Sequence, residues 1–362
     1  MSCAGKWTNN PDLKPRIQAA LRRVTLSQEE VLALNPRVVQ RATGLSRTDV
    51  QSLRQATRTC PAPQTALALS SSGPLSSSSG PLSSGCRSID VVLRGGLPVG
   101  GVTELFGPSA AGKTQLALQF CLSVQYDPQH GGLGSGAVYV CTEDLFPSPR
   151  LQQMISEQSF LRQDVPLDQI PKNLSDRVFV EHVSDLASLL SCLSRRVVLL
   201  LSRRLVRLVV VDSVAALFRS EFEASDWLRR HRQLLAVSSA LRRISRQFNA
   251  PVLCINQVVD LVNPEQDQGL GPAPSSFGPA LGLAWSNQLT ARLMMRREEG
   301  LLIRGDQSSA PRSLQVIFAP HLPSAAGQSQ RGAASSGQSQ GSVIIGVWRE
   351  GLRGHDQSEH RD

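Results

Sequence analysis

The sequence lacks any run of about 18 consecutive apolar residues, the length that a helix needs to cross a bilayer. Arginines interrupt even the apolar stretch Val197–Val211. Near the N-terminus, no basic segment is followed by an apolar one, so the pattern of a secretory signal is lacking as well. We therefore expect a protein that is neither secreted nor embedded in a membrane.

Aromatic residues are scarce, at 4% of 362 residues. The seven cysteines are odd in number and contain no C-x-x-C pair, which indicates a reduced intracellular protein rather than a disulfide framework. With 41% hydrophobic and 19% charged residues, the composition excludes collagenous, coiled-coil and globally disordered chains. The length suits one large α/β domain with a smaller one.

Basic residues outnumber acidic ones, and the net charge is +9. This balance suits a polyanionic partner, although solvated surface charge is the alternative. All but four of the 38 basic residues are arginine. A lysine at a chemically demanding position is therefore conspicuous, and Lys113 is such a residue.

Residues 1–60 are predicted to form a small helical module that ends before Pro61. Gly44 predicts a tight turn, and Ser46 with Asp49 predicts a capping box that opens the next helix. Two helices joined by a glycine turn resemble a helix-hairpin-helix unit, which presents backbone N–H groups to phosphate. Two interpretations remain open: contact with DNA, or a helical cap that binds no ligand.

Residues 61–85 are predicted to be a linker, because residues 70–85 are rich in serine, glycine and proline. Residues 322–342 form a second low-complexity segment. This segment lies between two predicted strands, Leu314–Phe318 and Val343–Val347. We expect it to be a disordered insertion in a hairpin.

Residues 86–353 are the predicted core, and residues 354–362 are a polar tail. Short apolar runs rich in β-branched residues alternate with helical patterns in the core, which indicates buried parallel strands. The predicted strands are Val102–Phe106, Ala137–Cys141, Val178–Val180, Leu208–Val211 and Val252–Ile255. The predicted fold class is α/β with a twisted, mostly parallel sheet.

A complete phosphate-loop pattern, G-x-x-x-x-G-K-[ST], follows the first predicted strand and precedes the predicted helix Gln115–Val124. Its glycines let the backbone wrap a phosphate, its lysine neutralises the β- and γ-phosphate oxygens, and its hydroxyl binds Mg²⁺. A glycine turn that only joins strand to helix is the alternative. The predicted ATP-binding residues are Gly107, Pro108, Ser109, Ala110, Ala111, Gly112, Lys113 and Thr114.

Polar residues end three further predicted strands. Asp212 follows a buried strand, where a carboxylate can hold Mg²⁺ directly or through water. Glu143 and Asp144 end another strand, and one of them could polarise the attacking water, although spacing does not decide which. Gln257 ends a third, where its amide either contacts a γ-phosphate or caps a turn.

Together, these residues make the chain similar to the RecA-type recombinases, specifically the eukaryotic recombinase paralogues. The resemblance covers residues 86–320 and the last strand, and it includes the leading helical module. The segments that carry it, in the family's order, are Leu93–Leu97, Thr103–Gly107, Gly112–Gln115, Tyr139–Glu143 and Asn256–Val258. It implies a RecA-like P-loop NTPase core, and a homologous-recombination factor of the nucleus with an additional cytoplasmic pool.

The resemblance also implies roles for particular residues. Lys113 and Thr114 would bind ATP with Mg²⁺, and Asp212 would be the acidic metal ligand. Glu143 would be the catalytic glutamate, and Gln257 would link the γ-phosphate to the loop that follows. The implied partners are a C-type recombinase paralogue, in a heterodimer, and single-stranded or branched DNA.

The chain departs from the strand-exchanging members in two places. The loop Asp260–Gly278 contains acidic residues but no lysine or arginine, which disfavours phosphate binding. Asp144 stands where those members have glycine. These departures favour a regulatory subunit with weak or vestigial hydrolysis, whose nucleotide stabilises assembly with another paralogue on DNA. The alternatives are an autonomous DNA-dependent ATPase that pairs homologous strands, and a P-loop phosphotransferase.

Two further surfaces are predicted to bind partners. The helical pattern Trp227–Phe248 segregates apolar residues from arginines, and the arginine face is either a solvated surface or a DNA contact. Its predicted DNA-binding residues are Arg229, Arg232 and Arg243. Leu67 and Leu69 point the same way in an extended segment. They are predicted to join the sheet edge of a paralogue, unless they pack on the N-terminal module instead.

Overall fold

The structure is a computed structural model that describes residues 14–24, 31, 36–59, 80–222, 226–260, 277–320 and 341–355. The described residues divide into two compact units, an N-terminal unit drawn from residues 1–78 and 222–236 and a core unit drawn from residues 79–221 and 237–362. Among the described residues, none of the helices combines the length and the apolar composition that a bilayer span requires.

Of the helices that precede the core, the structure gives the bounds of α1 (Pro15–Val24), α2 (Pro36–Thr43) and α3 (Arg47–Thr59). Gly44 has a φ of +68°, which explains why glycine stands at this turn. The Asp49 amide donates to Ser46 Oγ at 3.2 Å, so the predicted helix, turn and capped helix are confirmed. The apolar centre of the unit comprises Ile17, Leu21, Val31, Val39, Val50 and Leu53.

The core unit is built on a nine-stranded sheet with the order β13-β12-β11-β8-β1-β5-β4-β2-β3. Its strands are β1 (Val102–Phe106), β2 (Gly136–Cys141), β3 (Val178–His182), β4 (Val206–Asp212), β5 (Val252–Asn256), β8 (Ala291–Arg297), β11 (Arg312–Phe318), β12 (Ser342–Trp348) and β13 (Gly351–Gly354). Strands β8, β1, β5, β4, β2 and β3 run parallel, and β11 to β13 continue antiparallel. Two small antiparallel pairs are separate: β6 (Val258–Asp260) with β7 (Phe277–Pro279), and β9 (Leu302–Arg304) with β10 (Gln307–Ser309).

The remaining helices are α4 (Arg87–Val92), α5 (Lys113–Ser123), α6 (Ser148–Ser156), α7 (Gln158–Leu161), α8 (Leu186–Ser191), α9 (Val198–Ser202), α10 (Val214–Ser220), α11 (Trp227–Phe248) and α12 (Gly282–Ser286). A π-helical turn, Cys192–Val197, joins α8 to α9. Every residue of β1, β2 and β5 is buried, which is why these strands are unbroken apolar runs in the sequence. The predicted α/β class with a mostly parallel sheet is confirmed.

Two parts of the core differ from the sequence prediction. The predicted linker extends to residue 85, whereas Leu82 is fully buried and pairs with Leu97 in an isolated bridge. Asp90 holds this segment, because it accepts hydrogen bonds from Ser83 Oγ and the Ser84 amide. The core therefore begins by Gly80. Strand β8, which lies beside β1, was not among the predicted strands.

The predicted hairpin around the second low-complexity segment is confirmed, since β11 pairs antiparallel with β12. Strand β12 begins at Ser342, one residue inside the predicted insertion. Residues 321–340 lie outside the described residues, as do residues 60–79 and 261–276.

Candidate nucleotide-binding site

The phosphate loop joins the carboxyl end of β1 to the N-terminus of α5. Gly107 passes so close to β8 that a Cβ there would lie 1.9 Å from the Met295 carbonyl oxygen. Gly112 has a φ of +104° and caps α5, and Ala110 also adopts a positive φ of 60°. The loop conformation thus requires glycine at the two positions where the motif has it.

Lys113 folds back over this loop. Its Nζ donates hydrogen bonds to the Gly107 and Pro108 carbonyl oxygens, each at 2.7 Å. Burial lowers the pKa of Lys113, and the negative charge of Asp212 opposes that shift. An ammonium has three donors, so a third remains for an anion that enters the loop.

The structure brings Thr114 and Asp212 together, although 98 positions separate them in the sequence. Thr114 Oγ1 donates to Asp212 Oδ2 at 2.9 Å, and the Tyr139 hydroxyl donates to the same oxygen at 2.5 Å. Burial raises the pKa of Asp212, whereas these hydrogen bonds and the Lys113 charge lower it. Burial and the Asp212 carboxylate raise the pKa of Tyr139, which keeps its hydroxyl a donor.

A hydroxyl and a carboxylate side by side are hard oxygen ligands of the kind that Mg²⁺ prefers. Among the described residues, no group of three or more His, Cys, Asp or Glu side chains could hold a metal alone. Mg²⁺ at Thr114 and Asp212 would therefore need phosphate oxygens to complete its shell, as is usual for nucleotide sites. The residues present fit ATP with Mg²⁺.

A small cleft of about 160 Å³ opens beside this pair. Its lining residues are Thr114, Tyr139, Cys141, Glu143, Asp144, Leu145, Pro147, Asp212 and Ser213. Both carboxylates that the sequence suggested as the general base therefore line the cleft of the Thr114–Asp212 pair, and the choice between Glu143 and Asp144 remains open. A larger cavity of about 830 Å³, between α4 and the β9–β10 hairpin, contains none of these residues.

Glu143 is part of an exposed cluster, which we call the outer cluster: Glu143, Arg219 and Gln257. Arg219 Nη2 donates to Glu143 Oε1 at 2.7 Å, and Gln257 Nε2 donates to Glu143 Oε2 at 2.7 Å. Arg219 Nη1 donates to Gln257 Oε1 and closes the triangle. The Glu143 and Arg219 side chains are 39% and 46% exposed.

A second cluster, the inner cluster, lies inside the sheet and comprises Glu104, Asn256, Trp285 and Arg292. Glu104 Oε1 accepts hydrogen bonds from Asn256 Nδ2 at 2.6 Å and from Trp285 Nε1 at 2.7 Å. Arg292 Nε donates to Glu104 Oε2, and the Glu104 side chain is fully buried. Asn256 Oδ1 also accepts the Gln257 amide at 2.8 Å, so this cluster fixes the backbone from which the outer cluster extends.

Sequence reasoning missed the two partners that hold the acidic residues. Tyr139 was noticed only as part of a strand, although its hydroxyl bonds Asp212. Arg219 lies in the last turn of α10, the helix after the Asp212 strand, and in a chain so rich in arginine nothing in the pattern distinguishes it. The only available signal was its place shortly after the Asp212 motif.

The predicted DNA-binding arginines lie on α11, which spans the predicted range Trp227–Phe248. Arg229 and Arg243 are exposed, and the Arg229 guanidinium lies 5.7 Å from the centre of the Phe222 ring. Arg232 is part-buried and donates to the Val24 carbonyl oxygen at 2.6 Å. Arg229 and Arg232 group with the N-terminal unit, whereas Arg243 groups with the core unit.

Two of the predicted surfaces fall outside the described residues. Leu67 and Leu69 lie in the segment 60–79, and most of the acidic loop lies in the segment 261–276. Only the base of that loop is described, where β6 pairs with β7. The roles predicted for these residues stay predictions.

Comparison with known proteins identifies relatives of this chain. The Rad51 family model matches residues 80–326. DNA repair protein XRCC3 from Bos taurus is 48% identical over 325 residues, which cover 86% of this chain and 92% of the bovine protein. The protein of the same name from Mus musculus is 46% identical over 329 residues, with the same coverage of both chains.

A plant relative extends the similarity. The DNA repair protein XRCC3 homolog from Arabidopsis thaliana is 33% identical over 269 residues, which cover 66% of this chain and 87% of the plant protein. The matches confirm the resemblance to the recombinase paralogues that the motifs suggested. The chain belongs to the Rad51 family.

Proposed function

We propose that the chain is an ATP-binding recombinase-paralogue subunit that acts in homologous-recombination repair of DNA double-strand breaks and in junction processing. Its role in recombinational repair is supported by the Rad51 family match and the similarity to DNA repair proteins XRCC3 and rhp57. The subunit assembles with another paralogue on DNA. The observation that carries the proposal is the complete phosphate loop whose Thr114 hydroxyl meets Asp212.

Proteins of the Rad51 family bind ATP in general, and the residues of this chain suit that ligand. In our proposal the loop amides and the Lys113 ammonium hold the phosphates, while Thr114 and Asp212 hold Mg²⁺. Bound ATP with Mg²⁺ supplies the anhydride bond and a cation that neutralises charge. Glu143 orients or deprotonates the attacking water, with Asp144 as the alternative base.

The test is nucleotide binding by the Lys113→Ala variant. Loss of a charge-assisted contact worth roughly 1.5–3 kcal/mol should weaken ATP binding by about one to two orders of magnitude. Lys172→Ala is the matched control, because Lys172 is exposed and outside the loop. Unchanged affinity in Lys113→Ala, measured by titration of a fluorescent ATP, would refute the assignment.

Hydrolysis is weak or vestigial in this proposal. The acidic loop after Gln257 and the presence of Asp144 disfavour an autonomous strand-exchange enzyme. ATP turnover should therefore change little when single-stranded DNA is added. Strong stimulation by DNA would favour the second candidate, an autonomous DNA-dependent ATPase that pairs homologous strands.

The relatives include several recombinase paralogues, among them RAD51 homolog 2 from Homo sapiens and RAD51 homolog 3 from Dictyostelium discoideum. We assign the C-type recombinase paralogue as the partner in a heterodimer, with Leu67 and Leu69 inserted at its sheet edge. Leu67→Asp with Leu69→Asp should weaken co-purification, because the charges would have to be buried. A folded double variant that co-purifies normally would remove this segment from the interface.

DNA contact in this proposal is electrostatic and indifferent to sequence. Replacement of Arg229, Arg232 and Arg243 by Ala should flatten the salt dependence of binding to single-stranded or branched DNA. If the salt dependence did not change, the arginine face would be a solvated surface that does not contact DNA. We also assign the chain to the nucleus, with a cytoplasmic pool; a tagged chain confined to the cytoplasm after DNA damage would contradict this.

A further inference from the structure

The outer cluster occupies the groups that the proposed reaction needs. Each carboxylate oxygen of Glu143 accepts one hydrogen bond, from Arg219 and from Gln257 respectively. Both polar ends of the Gln257 amide are also in use, since its Oε1 accepts from Arg219 while its Nε2 donates to Glu143. One N–H of Nε2 stays available, but Gln257 is not among the residues that line the cleft. Its amide could therefore reach the γ-phosphate of a bound triphosphate, the terminal phosphate, only by leaving these contacts.

Arg219 is the member of the cluster that holds the other two in this arrangement. Its two Nη atoms bind one neighbour each, which is the forked geometry that a guanidinium provides and an ammonium does not. The residue lies in the last turn of α10, the helix that follows the Asp212 strand. Because Glu143 and Arg219 are both substantially exposed, water can replace the contact when it opens.

We infer that Arg219 is a positioning residue that latches Glu143 to Gln257 and thereby opposes engagement of a terminal phosphate. This inference rests on the proposed nucleotide site and names a regulation of it. A ligand that requires the open latch must shift the equilibrium between closed and open states, and its apparent affinity falls by that factor. ADP has no γ-phosphate and does not require the opening, so Arg219 should discriminate between ADP and a triphosphate.

The experiment compares the affinities for Mg·ADP and for Mg·adenylyl imidodiphosphate, a non-hydrolysable triphosphate. Arg219→Gln should raise affinity for the triphosphate about two- to fivefold and leave ADP affinity unchanged, as expected for an exposed ion pair. Arg219→Lys keeps the charge but loses the forked geometry. Its affinity for the triphosphate should lie between that of Arg219→Gln and that of the parent. Arg196→Gln is the matched control, because Arg196 is an exposed arginine paired with Glu181 on β3.

A double variant separates the latch from a general structural effect. In the Glu143→Gln background, replacement of Arg219 should add little to triphosphate affinity, because the ion pair is already gone. An unchanged ratio of the two affinities in Arg219→Gln would overturn the latch, and so would weaker triphosphate binding, which would make Arg219 a phosphate ligand. If the parent bound neither nucleotide, the proposed site itself would fail; normal ADP binding with no change in the ratio would refute the latch alone.

Discussion

The inner and outer clusters use the same three kinds of side chain, and both include a residue at the end of β5. Each has a glutamate that accepts from an arginine and from a side-chain amide, and the two amides, Asn256 and Gln257, are consecutive residues. The difference is access to water. Glu104 is fully buried and Arg292 nearly so, whereas Glu143 and Arg219 are 39% and 46% exposed.

Burial decides what such a cluster can do. In the inner cluster, Trp285 adds a third donor, and the Arg292 guanidinium also lies near the Phe106 and Phe318 rings. Breaking this ion pair would leave a desolvated charge, so the arrangement is fixed. Water can replace each partner in the outer cluster at little cost, so that cluster is able to open. The inner cluster therefore fixes the backbone, and the outer cluster can rearrange when a ligand binds.

The largest effect that separates the clusters should be on stability. Arg292→Leu leaves Glu104 buried without its cation and should lower the free energy of unfolding by about 3–5 kcal/mol. Arg219→Leu should lower it by less than about 1 kcal/mol. Denaturant unfolding of both variants measures the difference. Equal losses would show that burial does not distinguish the clusters.

The second largest effect should be on ATP cleavage and involves the outer cluster. Glu143→Gln should lower single-turnover ATP cleavage by about a hundredfold without weakening nucleotide binding, because it removes the proposed base and no phosphate ligand. Affinity for a triphosphate should rise about two- to fivefold, as in Arg219→Gln, because the ion pair with Arg219 is lost as well. Asp144→Asn is the matched control in the same cleft. Full cleavage in Glu143→Gln with loss in Asp144→Asn would move the base to Asp144.

The smallest expected effect concerns Asp212, whose environment lies between the two extremes. Because burial raises its folded pKa, the ionised carboxylate costs stability at pH values above that pKa, and the cost disappears as pH falls through it. Asp212→Asn should therefore be as stable as the parent or up to about 1 kcal/mol more stable at pH 7.5. As pH falls toward 5, the free energy of unfolding of the parent should rise relative to that of Asp212→Asn. A relative decrease would contradict the raised pKa of Asp212.

The sequence predicted the sheet and the phosphate loop well because both have local signatures. Buried parallel strands such as Val252–Asn256 are unbroken apolar runs, and the loop has a fixed spacing next to a strand. Tertiary partners have no such signature. Arg219 and Arg292 meet their glutamates across 76 and 188 positions, and no local pattern in an arginine-rich chain selects them. The serine-rich neighbours of Leu82 predict a linker, although the Leu82 side chain is fully buried.

The central claim is that Thr114 and Asp212 are held together as a site for nucleotide-bound Mg²⁺. The most direct test is the affinity for ATP with and without Mg²⁺, measured by titration calorimetry in the parent and in Asp212→Asn. We predict that Mg²⁺ strengthens ATP binding by the parent about tenfold or more and that Asp212→Asn loses most of this enhancement. An enhancement of the same size in both proteins would show that Asp212 is not a metal ligand.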